Sequence, residues 1–337
     1  MLVVMGLLNA SEFVALREPP AQRPPPLPAI LGEGDDVTAW EAKRAELRAA
    51  WETIIGPMPP RDAPLDVEVL STEELNDHTR LLLRYRNEPH EMNDAYLLIP
   101  KGFDGPRPGM VCLHSTSKTS LRDPVGLANR ENVHVALHLV RRGYVCIAPR
   151  NYLFAVEGRS YQRAADEVLE RGPYKTGMAK MLFDAMRAVD VLLERPEVDA
   201  TRIGAIGHSL GAKQALYLPA FDERIIAAIS CEGGVGLAMS NWEADWYLGR
   251  QIKAPSFDRD NHEVMALIAP RALLIIGGES ADGAHSWPYI EATLPVWRLY
   301  DAEARLGLLR HDEKHEFPSP GAEREAAYEW LDAMLAN

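Results

Sequence analysis

A chain of 337 residues, 47% of them hydrophobic and 25% charged, has the make-up of a soluble globular protein with enough apolar material for a large core. Its formal net charge of -13 leaves no basic surface to neutralise phosphates, which excludes sequence-independent nucleic-acid binding. The three cysteines, Cys112, Cys146 and Cys231, sit inside or at the end of apolar runs, where thiols pack as small hydrophobes, so no disulfide framework is expected.

Residues 1–8 are apolar but lack a preceding basic residue, are short for a membrane span and run into Asn-Ala-Ser-Glu rather than a cleavage site. They read as a disordered or wrongly assigned start, and the expectation is a cytoplasmic protein without a membrane partner. The proline-rich stretch 18–28 cannot continue a helix and reads as an extended strap. Trp40, Leu47, Trp51 and Ile55 then recur at helical spacing over 36–55, and Gly56-Pro57 stops the run. Residues 1–62 are therefore expected to form an N-terminal extension on a catalytic domain over 63–337.

Short β-rich runs at 67–70, 80–85 and 95–99 predict antiparallel strands that open a sheet. Strands at 110–113, 144–148, 202–206, 225–230, 272–276 and 305–309 follow. They alternate with helices near 129–142, 177–194, 210–218, 262–268, 287–301 and 321–335. Such alternation predicts an α/β fold with a mostly parallel central sheet flanked by helices. Residues 233–261 break the pattern; they are rich in aromatic residues and start where a strand ends, so they read either as a pocket wall or as a packing loop.

The chemistry-bearing string is Gly207-His208-Ser209-Leu210-Gly211. A buried strand runs directly into it and a helix leaves it, the context of a nucleophile elbow. A serine needs a base for its proton and fixed donors for the oxyanion. The amide of Leu210 supplies one donor, and the loop after strand 110–113 offers a second from Ser115 or Thr116. His208, before the serine, reads as structural. In the order serine, acid, histidine, the base falls in the loop after the last strand, where His315 has the reach and His311 lies too close to the strand end. Three carboxylates compete for the acid: Asp282 first, in the loop after strand 272–276, then Glu232 after strand 225–230, then Glu279. His262, His285, His311 and His315 show no tight ligand spacing, so neither a metal nor another cofactor is expected.

These strings, together with Val198-Asp199-Ala200-Thr201-Arg202-Ile203-Gly204, Ala269-Pro270-Arg271 and His315-Glu316-Phe317-Pro318, make residues 100–335 resemble the α/β-hydrolase superfamily. Within it the chain resembles dienelactone-hydrolase-like and acetyl-xylan-esterase-like serine esterases, although true dienelactone hydrolases use a cysteine where Ser209 stands. A narrower similarity is to glucuronoyl esterases, through the position of Glu232 and through Lys213, a lysine soon after the serine. An arginine follows the serine in those enzymes, and Leu210 stands there in this chain. The resemblance implies a carboxylic-ester hydrolase working through an acyl-enzyme, with a small-molecule or carbohydrate ester as substrate, and Lys213 and Trp242 as candidate substrate-binding residues. The rivals are an amidase or peptidase with the same triad and a non-catalytic binding protein on the same scaffold.

Overall fold

The computed structural model describes residues 16–336, so the apolar start at 1–8 lies outside the described residues. Helix α1 (Val37–Ile55) begins where the Asp36 carboxylate accepts the Ala39 amide hydrogen at 2.9 Å, and it ends at Gly56, with φ of 94°, followed by Pro57. Its apolar stripe of Trp40, Leu47, Trp51 and Ile55 is buried, and the Trp51 indole donates to Glu263 at 2.8 Å. This helix shares the core of the sheet and has none of its own.

Strands β1 (Glu68–Glu74), β2 (His78–Glu88) and β3 (Glu91–Pro100) form an antiparallel meander. The parallel set comprises β4 (Arg107–Leu113), β5 (Val145–Pro149), β6 (Val198–His208), β7 (Ile225–Cys231), β8 (Ala272–Gly277) and β9 (Leu306–Arg310). Together they make one nine-stranded sheet in the order β1-β2-β3-β5-β4-β6-β7-β8-β9. Alternate residues of the central strands serve two cores, as a period of two requires. Val111, Leu113, Ala205 and Ile275 face the layer built from α1, α4 (Gly177–Leu193), α5 (Leu210–Phe221), α6 (His262–Ala266) and α7 (Trp287–Arg298). Met110, Cys112, Ile206 and Ile276 face α2 (Val135–Arg141) and α8 (Ala322–Met334). All three cysteines are buried free thiols.

The helical expectation misses one element and overdraws another. Helix α3 (Tyr161–Arg171), capped by the Ser160 hydroxyl, was passed over although its buried residues Ala164, Ala165 and Val168 recur at helical spacing against a polar opposite face. The stretch 129–142 is helical only over α2, preceded by a 3-10 turn at Glu131–Val133. Residues 233–261 contain no strand, and their only helical element is a 3-10 turn at Arg250–Lys253. Among the described residues no helix is long and apolar enough to cross a membrane.

The order of the strands places the site. From β4 the chain crosses to β5 on one side and next to β6 on the other, so the winding reverses between the carboxyl ends of β4 and β6, where open α/β sheets take their ligands. Register aligns Leu113 with Gly207, His208 with Cys231, Cys231 with Ile276 and Ile276 with Leu309. The residues just beyond those positions, 114–116, 209, 232, 278–282 and 311–315, therefore leave the same edge side by side.

Replacing Trp51 with alanine is expected to cost about 3–5 kcal/mol, the usual loss for emptying a fully buried tryptophan site. Urea unfolding of the full chain measures it; a loss below about 1 kcal/mol would mean that α1 is dispensable to the core.

Candidate active site

Ser209 stands between β6 and α5 with φ of 56° and ψ of -111°, a strained conformation for a residue with a side chain. The turn survives because its two glycines carry no Cβ. One at Gly207 would run into the Gly211 carbonyl, and one at Gly211 into the carbonyl of Leu113 at the end of β4. The Ser209 amide is tied to the Cys231 carbonyl of β7 at 2.9 Å. The helix that follows leaves the Leu210 amide without an intrahelical partner, and the close approach of Gly211 to β4 brings the 114–116 loop beside it.

His315 comes from the loop between β9 and α8, its side chain 46% exposed. Its Nε2 lies 2.8 Å from the Ser209 hydroxyl oxygen, and its Nδ1 lies 3.0 Å from Glu232 Oε2. Serine, imidazole and carboxylate thus form one hydrogen-bonded line. His311 takes no part: its Nδ1 accepts the Glu313 amide at the exit of β9.

The carboxylate that stands behind His315 is Glu232, and here the structure departs from the order of preference read in the sequence. Asp282 has both oxygens occupied elsewhere: they accept from the Gly234 amide at 2.8 Å, the Val235 amide at 2.7 Å and the Ser286 hydroxyl at 2.9 Å. Glu279 caps its own turn, accepting from the Ala284 amide and from Arg310. Glu232 is fully buried and holds a positive φ of 57° just past the end of β7. It accepts from the amides of Gly278 and Ala281 as well as from His315. Burial works against its charge, but the His315 hydrogen bond and the two amides outweigh it and hold its pKa below the ordinary glutamate value. For Asp282 burial prevails over the same kind of amide support, and its pKa is raised.

His208 lies beneath the site with its ring 5.2 Å from that of His315. Burial, reinforced by the neighbouring His315, pushes its pKa down to about 3, so it packs there as a neutral ring. Lys213, one turn along α5 from Ser209, is 2% exposed. Its ammonium donates to Ser240 at 3.0 Å and sits 5.2 Å from the Trp242 ring and 5.0 Å from the Tyr247 ring. Burial lowers its pKa to about 8, against the pull of Asp282 and Glu243. Trp242 is fully buried, with its indole N–H donating to the Gly234 carbonyl at 2.8 Å. Among the described residues, one group of carboxylates is tight enough to share a cation: Glu88, Glu91 and Asp184. It already holds the Lys180 ammonium at 2.6–2.7 Å.

The residues that the motif reading passed over are those around the loop after β4. His114, the first residue after β4, is buried and bonded to Ser115, Ser120 and Asn151, and the Asn151 side chain continues to Gln214 of α5 at 3.1 Å. A histidine directly after an apolar strand was the only local sign of it.

A mostly parallel sheet with a strained serine at its switch point, backed by a histidine and a buried carboxylate, defines a serine hydrolase of the α/β-hydrolase class, and the chain is a carboxylic-ester hydrolase. The model of the dienelactone hydrolase family matches residues 94–257. That match covers Ser209 and Glu232; His315 lies beyond it. YtaP of Bacillus subtilis (strain 168), a protein named as a hydrolase, is 28% identical over 246 residues, covering 70% of this chain and 80% of that one. A 4-O-methyl-glucuronoyl methylesterase of Hypocrea jecorina (strain QM6a) is 25% identical over 47% of this chain and 37% of its own length. Among solved structures, a glucuronoyl esterase from Solibacter usitatus superposes with a TM-score of 0.75 at 19% identity, over 94% of this chain and all of that one.

The two acids are expected to separate on substitution. Glu232→Gln removes the charge behind His315 and gives up one accepting oxygen, since its amide nitrogen can only donate, and it should lower kcat by about 10³–10⁴. Asp282→Asn leaves the relay charged and should lower kcat by less than about tenfold while lowering Tm, because it weakens the tie to Gly234 and Val235. Steady-state rates and melting curves of the two variants decide; a larger rate loss in D282N than in E232Q would reverse the assignment.

Proposed function

We propose that this chain hydrolyses carboxylic esters carried by a carbohydrate, with a uronoyl group as the acyl part. Ser209 is the nucleophile, His315 the base and then the acid, and Glu232 the carboxylate that orients the imidazole. The observation that carries the reading is the continuous line from Ser209 through His315 to the buried Glu232, at 2.8 and 3.0 Å. Ser209 Oγ attacks the ester carbonyl while its proton passes to His315 Nε2, and Glu232 stabilises the imidazolium. The oxyanion is met by the Leu210 amide and by an amide of the 115–116 loop. Collapse expels the alcohol with the proton from His315. Water, deprotonated by the same nitrogen, then attacks the acyl-enzyme and frees Ser209. An intact relay speaks against the binding-protein reading, because a scaffold that only binds has no use for a serine strained against a base.

Support for the acyl part comes from Glu232 at the end of β7 and from Lys213, whose ammonium has Ser240 as its one hydrogen-bonding partner among the described residues. An ammonium offers three donors, which suits the hydroxyl-rich face of a sugar ring. The Trp242 ring packs 5.2 Å from the same ammonium. The likeness to glucuronoyl esterases points the same way, and so does the likeness to the Hypocrea enzyme.

Two measurements test this. A panel of benzyl glucuronate, acetylated xylan and p-nitrophenyl acetate should give the highest kcat/KM for the glucuronate, with all turnover lost in Ser209→Ala. A preference for the acetyl esters of tenfold or more would remove the uronoyl part and leave the esterase. Lys213→Met should raise KM for the glucuronate while stabilising the fold at pH 7. The sign follows from the lowered pKa: between about 8 and the ordinary lysine value near 10.5 the unfolded chain binds more protons than the folded one, so stability rises with pH across that window. The Tm advantage of K213M should therefore be largest below pH 8 and shrink as the pH approaches 10.5; an advantage that stays flat would refute the buried-charge penalty.

A further inference from the structure

We infer that His114 is a positioning residue for the oxyanion hole: it holds the Ser115–Thr116 peptide so that the Thr116 amide, and not that of Ser115, is the second oxyanion donor. The inference rests on the proposed acyl-transfer reading and deepens it.

The first step is the tautomer. The Asn151 backbone amide points at His114 Nε2 at 3.0 Å, and a backbone N–H can only donate. Nε2 is therefore an acceptor without a proton, and the Ser120 hydroxyl at 3.1 Å donates to the same nitrogen. The ring proton sits on Nδ1 and is donated to the Ser115 carbonyl at 2.8 Å. A fully charged ring would put a proton in the path of the Asn151 amide. Burial keeps the ring neutral, pushing its pKa down to about 4, and the Phe154 ring packs edge-on to it with centroids 5.1 Å apart.

The second step is the peptide plane. In a planar trans peptide the carbonyl of one residue and the N–H of the next point in opposite directions. With the Ser115 carbonyl held down on the buried imidazole, the Thr116 N–H is aimed away from it. The elbow adjoins this peptide, since Gly211 of the nucleophile turn is packed against the carbonyls of Leu113 and His114. Neither the Ser115 nor the Thr116 amide hydrogen meets an acceptor among the described residues, so the choice between them rests on the peptide plane alone.

The third step is rigidity. An oxyanion donor helps only if it needs no reorganisation as the charge develops. The loop is braced by the Ser117 hydroxyl, which accepts from the amides of Thr119 and Ser120. His114 is braced in turn through Asn151, whose side chain donates to Gln214 on α5 at 3.1 Å, while Gln214 donates to the Met181 carbonyl of α4 at 3.3 Å. One hydrogen-bonded chain thus joins the oxyanion loop to the helix that carries the nucleophile. Moving either side alone breaks a buried hydrogen bond.

The test compares full-length His114→Leu and His114→Asn with the parent, on a p-nitrophenyl ester and on its thionoester, in which sulfur replaces the carbonyl oxygen. Leucine fills the space without a donor, whereas the asparagine amide can reproduce the donation from Nδ1. His114→Leu should lower kcat for the oxygen ester by about 10²-fold with KM within about twofold, and the ratio of oxygen-ester to thionoester rates should fall towards one, since sulfur gains little from the lost donor. His114→Asn should recover both quantities to within about threefold of the parent. Equal losses on both esters, or no loss, would overturn the positioning role, because a purely structural defect does not distinguish oxygen from sulfur. If the leucine variant fails to fold, Thr116→Pro against Thr116→Ala decides: only the proline removes the amide hydrogen, so only it should lower the ratio, and matching ratios would overturn the assignment. Ser209→Ala is run beside them. Turnover retained there defeats the acyl-transfer reading itself, whereas an inert S209A with an unchanged H114L defeats only this inference.

Discussion

The geometry of the site depends on an exchange of hydrogen bonds between two loops that never meet in sequence. Glu232, at the end of β7, accepts the amides of Gly278 and Ala281 from the loop after β8. Asp282, in that second loop, accepts the amides of Gly234 and Val235 from the first. Each carboxylate is buried, and each is satisfied by the other's backbone, so neither loop can shift without stranding a charge. His315 enters this arrangement as one more donor to Glu232, and its ring is thereby fixed relative to Ser209. A relay whose partners lie on strands β6, β7 and β9 needs such a clamp, because strand register sets positions only to the spacing of residues along a strand. Hydrogen bonds to the loops supply the finer adjustment.

The exchange also explains why two acidic residues lie so close without competing. Their pKa values are driven in opposite directions, Glu232 down by its donors and Asp282 up by burial. The lower one faces the histidine. A relay acid has to remain ionised while the imidazole gains and loses its proton, so the carboxylate whose pKa its donors hold down is the one suited to that place. Asp282 serves it indirectly, by holding the Gly234–Val235 backbone where the chain turns out of Glu232.

The turn that holds the candidate nucleophile Ser209 was legible in the sequence because everything that makes it is local. A buried strand, two glycines around Ser209 and a helix after it occupy a single short stretch, and each residue type there has a steric reason. His315 was legible by position, from the order of elements. The carboxylate that meets His315 was not, because Glu232 and Asp282 are both buried carboxylates just past neighbouring strands, and the choice depends on the positive φ at Glu232 and on which amides each one meets. Those are tertiary facts. Helix α3 was legible in principle, since Ala164, Ala165 and Val168 recur at helical spacing on one side of an otherwise charged segment. The loop after β4 was recognisable as the candidate oxyanion loop, but its two candidate amides, those of Ser115 and Thr116, are not told apart by residue type.

The same residues show where the fold accepts a cost. Lys213, Glu232 and Asp282 are all buried ionisable groups near the candidate nucleophile, and Ser209 and Glu232 both hold backbone conformations that non-glycine residues avoid. His208 is buried with neither ring nitrogen hydrogen-bonded among the described residues. Taken singly, each feature lowers stability, and a core built for stability alone would carry apolar side chains there. They are confined to the carboxyl edge of the sheet around the switch point, while the strands beneath them, Met110 to Leu113 and Ala272 to Ile276, are continuous apolar runs with complete ladders. That separation is what lets the strain persist: the ladder over-determines the positions of the loops, and the loops can then hold charges and dihedrals that they would otherwise relax.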